Sequence, residues 1–135
     1  MRFSSNMNDD SPRRSLSVFL VENHPDTLRY LKLYLEQSGH QVQTACSVTQ
    51  ALRLIPEAEF DVLISDIGLP DGDGWELMSQ IYPTKPVFGI AMSGFGGNAN
   101  LEKSRSVGFK HHLIKPFVPD ELDALLDEAL HSLAA

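Results

Sequence analysis

Cys46 is the chain's only cysteine, so no internal disulfide can staple the fold and a hydrophobic core must hold it. No stretch of apolar residues is long enough to span a bilayer, and no long apolar run follows Arg2. The expectation is therefore a cytoplasmic protein that meets no membrane. Basic residues are in the minority, 11 against 18 acidic ones, and the resulting formal charge of -7 opposes both the phosphate backbone of nucleic acids and anionic lipid surfaces. Nucleic acid is accordingly not expected as a direct partner. Internal repeats are lacking, as is any linker long enough to separate domains. What is present, 42% hydrophobic and 21% charged residues in a chain of 135, suits one globular domain with a single ordinary core.

Residues Met1 to Ser15 are polar, contain Pro12 and show no apolar periodicity, so they read as a mobile tail (residues 1–15) ahead of a domain spanning residues 16–135. From Leu16 onward, short apolar runs alternate with helical periodicity, the pattern of strand-helix units around a parallel sheet. The expected strands are Ser17 to Val21, Gln41 to Ala45, Val62 to Ser65, Val87 to Met92 and His111 to Ile114. Leu28, Leu31 and Leu35 recur at helical spacing between Pro25 and Gly39, and Leu122, Leu125, Leu126, Ala129, Leu130 and Leu133 do so after Pro119, Asp120 and Glu121. Ala51 to Ile55, Trp75 to Ile81 and Ala99 to Val107 mark three more helices, the last preceded by a flexible stretch containing Gly94, Gly96 and Gly97. Trp75, just beyond the loop after the third strand, carries no assigned role.

In a parallel sheet the carboxyl ends of the strands form one rim, and here they end on polar groups. Ser65-Asp66-Ile67 follows Val62-Leu63-Ile64, Glu22 and Asn23 follow the first strand, Ser93 follows the fourth and Lys115 the fifth. Such a set has a chemistry. A carboxylate is a weak nucleophile, yet it attacks a phosphoryl group when a divalent cation screens the repelling oxygens and another cation takes the developing charge. Asp66 suits the nucleophile; Glu22, the Asn23 amide oxygen, Asp66 and the Gly68 carbonyl are hard-oxygen donors for Mg2+; Lys115 can pair with Asp66 or a phosphoryl oxygen; and Ser93 can donate its hydroxyl.

Four segments carry a family resemblance: Phe19-Leu20-Val21-Glu22-Asn23-His24-Pro25; Asp61 through Gly74; Ala91-Met92-Ser93-Gly94; and His112-Leu113-Ile114-Lys115-Pro116-Phe117. In this order and spacing they resemble the receiver domains of two-component response regulators, over Leu16 to Leu133. The resemblance implies an α/β, flavodoxin-like, doubly wound five-stranded parallel sheet of order 2-1-3-4-5 with helices on both faces. It also implies a phosphorelay role in signal transduction. Asp66 matches the phosphoacceptor, Ser93 the switch hydroxyl and Lys115 the site lysine, with a cis peptide before Pro116. The implied partners are a histidine kinase or histidine phosphotransfer protein, and a downstream protein target or an output domain outside this chain, which stops at Ala135. Such a domain is no enzyme in the usual sense: it catalyses at most its own phosphorylation and dephosphorylation. The wording around Asp66 is similar to receivers attached to hybrid histidine kinases.

The chain departs from the family twice. Glu22 and Asn23 stand where the family usually has two Asp, so the site's formal charge falls from -3 to -2; a full charge about 4 Å from a cation is worth about 4 kcal/mol at an effective dielectric near 20. This points to weaker Mg2+ binding and slower phosphorylation, and it motivates a second reading, a receiver-like scaffold that binds partners without phosphorylation. His112 stands at the switch position where an aromatic residue is common, with a ring that can titrate. His111 and His112 together do not make a metal pair, since adjacent strand residues point to opposite faces.

Other patterns fail on their own spacing. An EF-hand beginning at Asp71 needs Gly at the sixth position and Glu at the twelfth, where Glu76 and Tyr82 stand, so Asp71-Gly72-Asp73-Gly74 reads as a turn. A haloacid dehalogenase phosphatase needs Asp two residues after its nucleophile, where Gly68 stands. A flavin phosphate site needs a hydroxyl-rich loop after the first strand, which Glu22 to Asp26 is not. Phe95, two residues after Ser93, and Gly68 are placed to influence water access to a phosphoryl group on Asp66.

Overall fold

The computed structural model describes residues 15–94 and 97–134; the expected tail, save Ser15, and Phe95 and Gly96 lie outside them. In chain order the elements are β1 (Ser17–Val21), α1 (Pro25–Gln37), β2 (Gln41–Ala45), α2 (Val48–Leu54) with a 3-10 turn (Ile55–Glu57), and β3 (Val62–Asp66). Then come β4 (Gly68–Leu69), β5 (Gly72–Asp73), α3 (Gly74–Ile81), β6 (Phe88–Ser93), α4 (Asn98–Val107), β7 (Phe109–Ile114) and α5 (Pro119–Ala134). Five strands form one parallel sheet in the order β2-β1-β3-β6-β7. With the small antiparallel ribbon β4-β5 set aside, this is the expected order 2-1-3-4-5.

The central strands are buried on both faces, which is why they read as continuous apolar runs rather than alternating ones. One core gathers Phe19, Leu63 and Ala91 with Ala51, Ile55, Leu77 and Met78 from α2, its 3-10 turn and α3. The other gathers Val18, Leu20, Ile64, Ile90 and Met92 with Leu31 and Leu35 of α1 and Leu122 and Leu126 of α5. Each fully buried leucine in these layers contributes about 2 kcal/mol relative to leaving it in water. The edge strands differ: in β2 Gln41 and Gln43 stay exposed while Val42 and Thr44 are half-buried, and in β7 Lys110 and Ile114 are exposed.

The cores set the position of the polar rim. After β1 the chain turns to the α1 face and after β3 to the α3 face, so the loops part at the adjacent carboxyl ends of β1 and β3 and leave a crevice. Gly74 makes the second turn possible: its N–H donates to the Ile67 carbonyl at 2.8 Å, and a Cβ there would lie 2.3 Å from the Asp66 carbonyl oxygen. Any side chain at this position would push α3 off the strand that carries Asp66.

Several boundaries differ from expectation, in the sheet because pairing with a neighbouring strand sets where each strand begins and ends. β3 includes Asp66, in register with Met92; β6 runs Phe88–Ser93 rather than Val87 to Met92; β7 starts at Phe109 rather than His111, opposite Gly89, with a bulge between Gly89 and Ile90. α2 begins at Val48, earlier than Ala51, since the Ser47 hydroxyl caps the Gln50 N–H at 3.1 Å. The Asp71 to Gly74 turn does more than reverse the chain. Asp71 accepts from the backbone N–H groups of Val48 and Thr49, each at 2.8 Å, and so holds the start of α2, while Asp73 caps α3 through the Glu76 N–H at 2.8 Å. Asp71 is held below the usual carboxylate range by its bonds from the Thr49 side chain and from the Thr49 and Val48 amides.

His40 is 8% exposed and its Nδ1 accepts the Leu16 backbone N–H at 3.0 Å, so the fold wants it neutral. Burial lowers its pKa from 6.5, against the nearby Asp123 and Asp127, which act to raise it. The unfolded chain then binds more protons than the folded one below 6.5, so stability is fully present above that pH and is lost as pH falls from 6.5 toward the folded value. The urea midpoint of the wild type, taken relative to that of His40→Gln, which keeps an acceptor but cannot titrate, is expected to fall as the pH drops from about 8 to 5; parallel profiles would contradict this.

Candidate functional site

Glu22, Asn23, Asp66, Gly68, Ser93 and Lys115 all line one open cavity of about 370 Å3 at the carboxyl rim, joined by His24, Thr27 and Gly94. Each arrives by backbone pairing. The Glu22 N–H donates to the Ala45 carbonyl at 3.0 Å, the Ile67 N–H to the Met92 carbonyl at 2.8 Å, and the Lys115 N–H to the Ser93 carbonyl at 2.7 Å. The ladder that builds the sheet therefore aligns the polar residues at its end. The peptide between Lys115 and Pro116 is cis, as the family resemblance implies.

At the cavity's floor the Lys115 ammonium lies between two carboxylates, donating to Glu22 Oε1 at 2.7 Å and pairing with Asp66 Oδ1 at 2.6 Å. Glu22 is 1% exposed and Asp66 4%, so the two acids are desolvated and Lys115 is the cation that makes their burial tolerable. The other Glu22 oxygen accepts the His24 backbone N–H at 2.9 Å. The acids respond in opposite directions. Burial, reinforced by the Glu22 carboxylate beside it, pushes Asp66 up to about 7 despite Lys115. For Glu22 burial acts upward too, but hydrogen bonds with Asp66 and Lys115 and the His24 N–H outweigh it and the pKa is lowered. Two buried carboxylates in contact share one titration, and the retained proton sits on the Asp66 side because Glu22 alone has the extra backbone donor. Lys115 is desolvated as well, which acts downward, yet its bonds with Asp66 and Glu22 raise its pKa and keep it charged.

Ser93, 4% exposed at the end of β6, leads into a second set of contacts behind the cavity. Its hydroxyl oxygen lies 2.6 Å from His112 Nε2 on β7; His112 Nδ1 lies 2.9 Å from the Ser104 hydroxyl on α4; and that hydroxyl accepts the Trp75 indole N–H of α3 at 2.8 Å. The Lys103 ammonium stands 4.3 Å from the centre of the Trp75 ring. His111 points the other way, to Glu128 of α5 at 2.8 Å, so the two histidines do lie on opposite faces. Thus the expected Ser93 and His112 meet, whereas Ser104 and Trp75 were not anticipated as part of the site; only the packing of α4 against β7 and α3 brings them there. His24 and Thr27 were likewise missed, although both follow directly on Glu22 and Asn23 in the loop and first turn after β1.

No group of three or more His, Cys, Asp or Glu gathers as a metal site among the described residues. The oxygen donors lining the cavity include two carboxylates, the Asn23 amide and the Gly68 backbone, with the Ser93 and Thr27 hydroxyls beside them. That is a sparse, hard set, compatible with a small divalent ion that keeps several waters and unlike a thiol and imidazole zinc site.

The chain matches the family model described as "Response regulator receiver domain" over residues 18–127. It is 30% identical over 122 residues to the sensor protein EvgS of Escherichia coli and 32% identical over 126 to the virulence sensor protein BvgS of Bordetella bronchiseptica. Those alignments cover 88% and 87% of this chain but 10% of each relative, so the chain spans about a tenth of their length. A shorter relative, the transcriptional regulatory protein KdpE of Mycobacterium tuberculosis, is 33% identical over 84% of this chain and 50% of its own. Among solved structures, a CheY-like response regulator receiver domain protein from Methanospirillum hungatei superposes with a TM-score of 0.81 at 26% identity, covering 86% of this chain and 94% of that one. No helix among the described residues is long and apolar enough to cross a membrane. With the sheet order, the rim residues and these similarities in agreement, the chain belongs to the response regulator receiver domain family.

Proposed function

We propose that this chain is a phosphoacceptor of a two-component phosphorelay in the cytoplasm, taking a phosphoryl group onto Asp66 and using the modified state to change which proteins it binds. The observation that carries this reading is the buried pairing of Asp66 with Lys115 and Glu22 in an open cavity that also holds Ser93. A structural ion pair would more economically be built on the surface; here two acids are desolvated beside an opening large enough for a phosphoryl group.

The donor is a phosphorylated imidazole on a histidine kinase or a histidine phosphotransfer protein. An Asp66 carboxylate oxygen forms the new P–O bond as the P–N bond breaks; the electron pair leaves with the imidazole nitrogen, which takes a proton from solvent. Asp66 must be ionised to do this, and its raised pKa means that its proton leaves first. Lys115, already on Asp66 Oδ1, is placed to follow the charge onto the phosphoryl oxygens, and Ser93 to donate to one of them. Glu22, Asp66, the Gly68 carbonyl and the Asn23 amide are the groups that would hold Mg2+, which when bound supplies the positive charge that lets an anionic oxygen approach an anionic phosphoryl group. With Asn23 neutral, the ion is held less tightly than by a third carboxylate. Output passes to a downstream protein target or to an attached domain beyond this chain.

The first test is covalent. Incubation with a small acyl phosphate and Mg2+ is expected to add one phosphoryl group, detected by intact mass and lost in hydroxylamine, and Asp66→Asn is expected to abolish it; persistent modification of that variant, or none of the wild type, sinks the reading. Titration of Trp75 fluorescence with Mg2+ is expected to show Asn23→Asp binding about tenfold more tightly than the wild type, and equal affinities would refute the role given to Asn23. Lys115→Met leaves Glu22 and Asp66 in contact without their cation. It is expected to lose about 2 kcal/mol of stability at pH 8 and less at pH 6, where the pair keeps a proton; an unchanged urea midpoint at both would show that Lys115 is not what sustains the buried acids.

A further inference from the structure

Behind the cavity, Ser93, His112, Ser104 and Trp75 form one hydrogen-bonded line from β6 through β7 and α4 to α3. Its direction follows from counting protons. The Trp75 indole has a single N–H and no acceptor, so at 2.8 Å it can only donate to the Ser104 oxygen. Ser104 is 2% exposed, and His112 Nδ1, at 2.9 Å, is the acceptor available to its own hydroxyl proton. Were Nδ1 instead protonated and donating to Ser104, that hydroxyl would accept twice and its proton would be buried without a partner, at the cost such a group incurs away from water. Ser104 therefore donates to Nδ1. A neutral imidazole with an accepting Nδ1 carries its proton on Nε2, and Nε2 donates to the Ser93 oxygen at 2.6 Å.

We infer that His112 is a positioning residue: held as the Nε2–H tautomer by Ser104 and Trp75, it makes the Ser93 oxygen an acceptor on the ring side, so that the Ser93 hydroxyl proton is not spent on the ring and serves an acceptor in the cavity. Resting on the phosphoacceptor reading, the inference names that acceptor as a phosphoryl oxygen on Asp66. Opposite polarity would have Ser93 donating to Nε2, and the hydroxyl would have to break that bond before serving the cavity. The ring, anchored at both nitrogens, keeps its place while the hydroxyl works, and the line ends on the indole of α3, two helices from the cavity. Ser104, a small polar residue in the middle of a helix, thereby has a task.

The tautomer can be read without any ligand. Long-range 1H–15N correlation on the 15N-labelled wild type at pH 7.5 is expected to show His112 with a protonated Nε2 and a bare Nδ1. A bare Nε2, or an imidazolium with both nitrogens protonated, overturns the inference. In Ser104→Ala, Nδ1 loses its donor, so the Nε2–H population is expected to fall and the affinity for beryllofluoride with Mg2+ to weaken roughly tenfold, the loss of one hydrogen bond to a charged group. Ser104→Thr, which keeps the hydroxyl, is expected to restore both. An Nε2–H population and affinity that Ser104→Ala leaves untouched would also overturn it. The two readings fail separately: if beryllofluoride binds neither protein, the phosphoacceptor reading falls, while the wild-type tautomer still decides the direction of the line.

Discussion

The Lys115 ammonium, lodged between Glu22 Oε1 and Asp66 Oδ1, is the interaction on which the rest of this structure turns. Two carboxylates nearly removed from water within reach of each other could not both ionise without it. The lysine comes from the end of β7 and the acids from the ends of β1 and β3, so the cluster exists only because the strand order places β1 beside β3 and carries the rim across β6 to β7. The fold's apolar runs, buried on both faces, supply the rigidity that holds this polar end in place. The lysine that makes the acids tolerable in the interior also opposes the burial that raises the Asp66 pKa.

From this point the site extends along two routes. Through Glu22 it reaches the His24 backbone and the start of α1; through Ser93 it reaches His112, Ser104 and Trp75, and so α4 and α3. Both routes are hydrogen bonds among buried or half-buried groups, where an unmet partner is costly. These bonds tie the rim to the start of α1 and to the packing of α3 against α4 around Trp75 and Lys103. The Asp71 bonds to the start of α2 tie the loop after β3 to a fourth helix without touching the cavity.

Much of this was legible in the chain. The sequence pattern named all five strands of the main sheet: β1, β3 and β6, buried along nearly their whole length, leave an unbroken apolar signature, the edge strands β2 and β7 a mixed one, and polar residues at the strand ends marked the rim. Boundaries slipped by a residue or two at β3, β6 and β7, where the deciding factor is a partner strand remote in sequence. The cavity set of Glu22, Asn23, Asp66, Gly68, Ser93 and Lys115 was found together. Missing were Ser104 and Trp75, since nothing local distinguishes a helical serine that faces a histidine from one that faces water. The capping by Asp71 was missed for a similar reason: its partners are more than twenty residues earlier, and a turn read by itself gives no hint of them.

The central claim is that Asp66, Lys115 and Ser93 act together on one phosphoryl group. Amide NMR of the 15N-labelled chain with beryllofluoride and Mg2+ tests it most directly, because the analogue mimics the modified carboxylate without turnover. The account predicts slow-exchange shifts at Asp66, Gly68, Ser93 and Lys115 that spread along α4 and are absent in Asp66→Asn. A spectrum in which those amides do not move would contradict it.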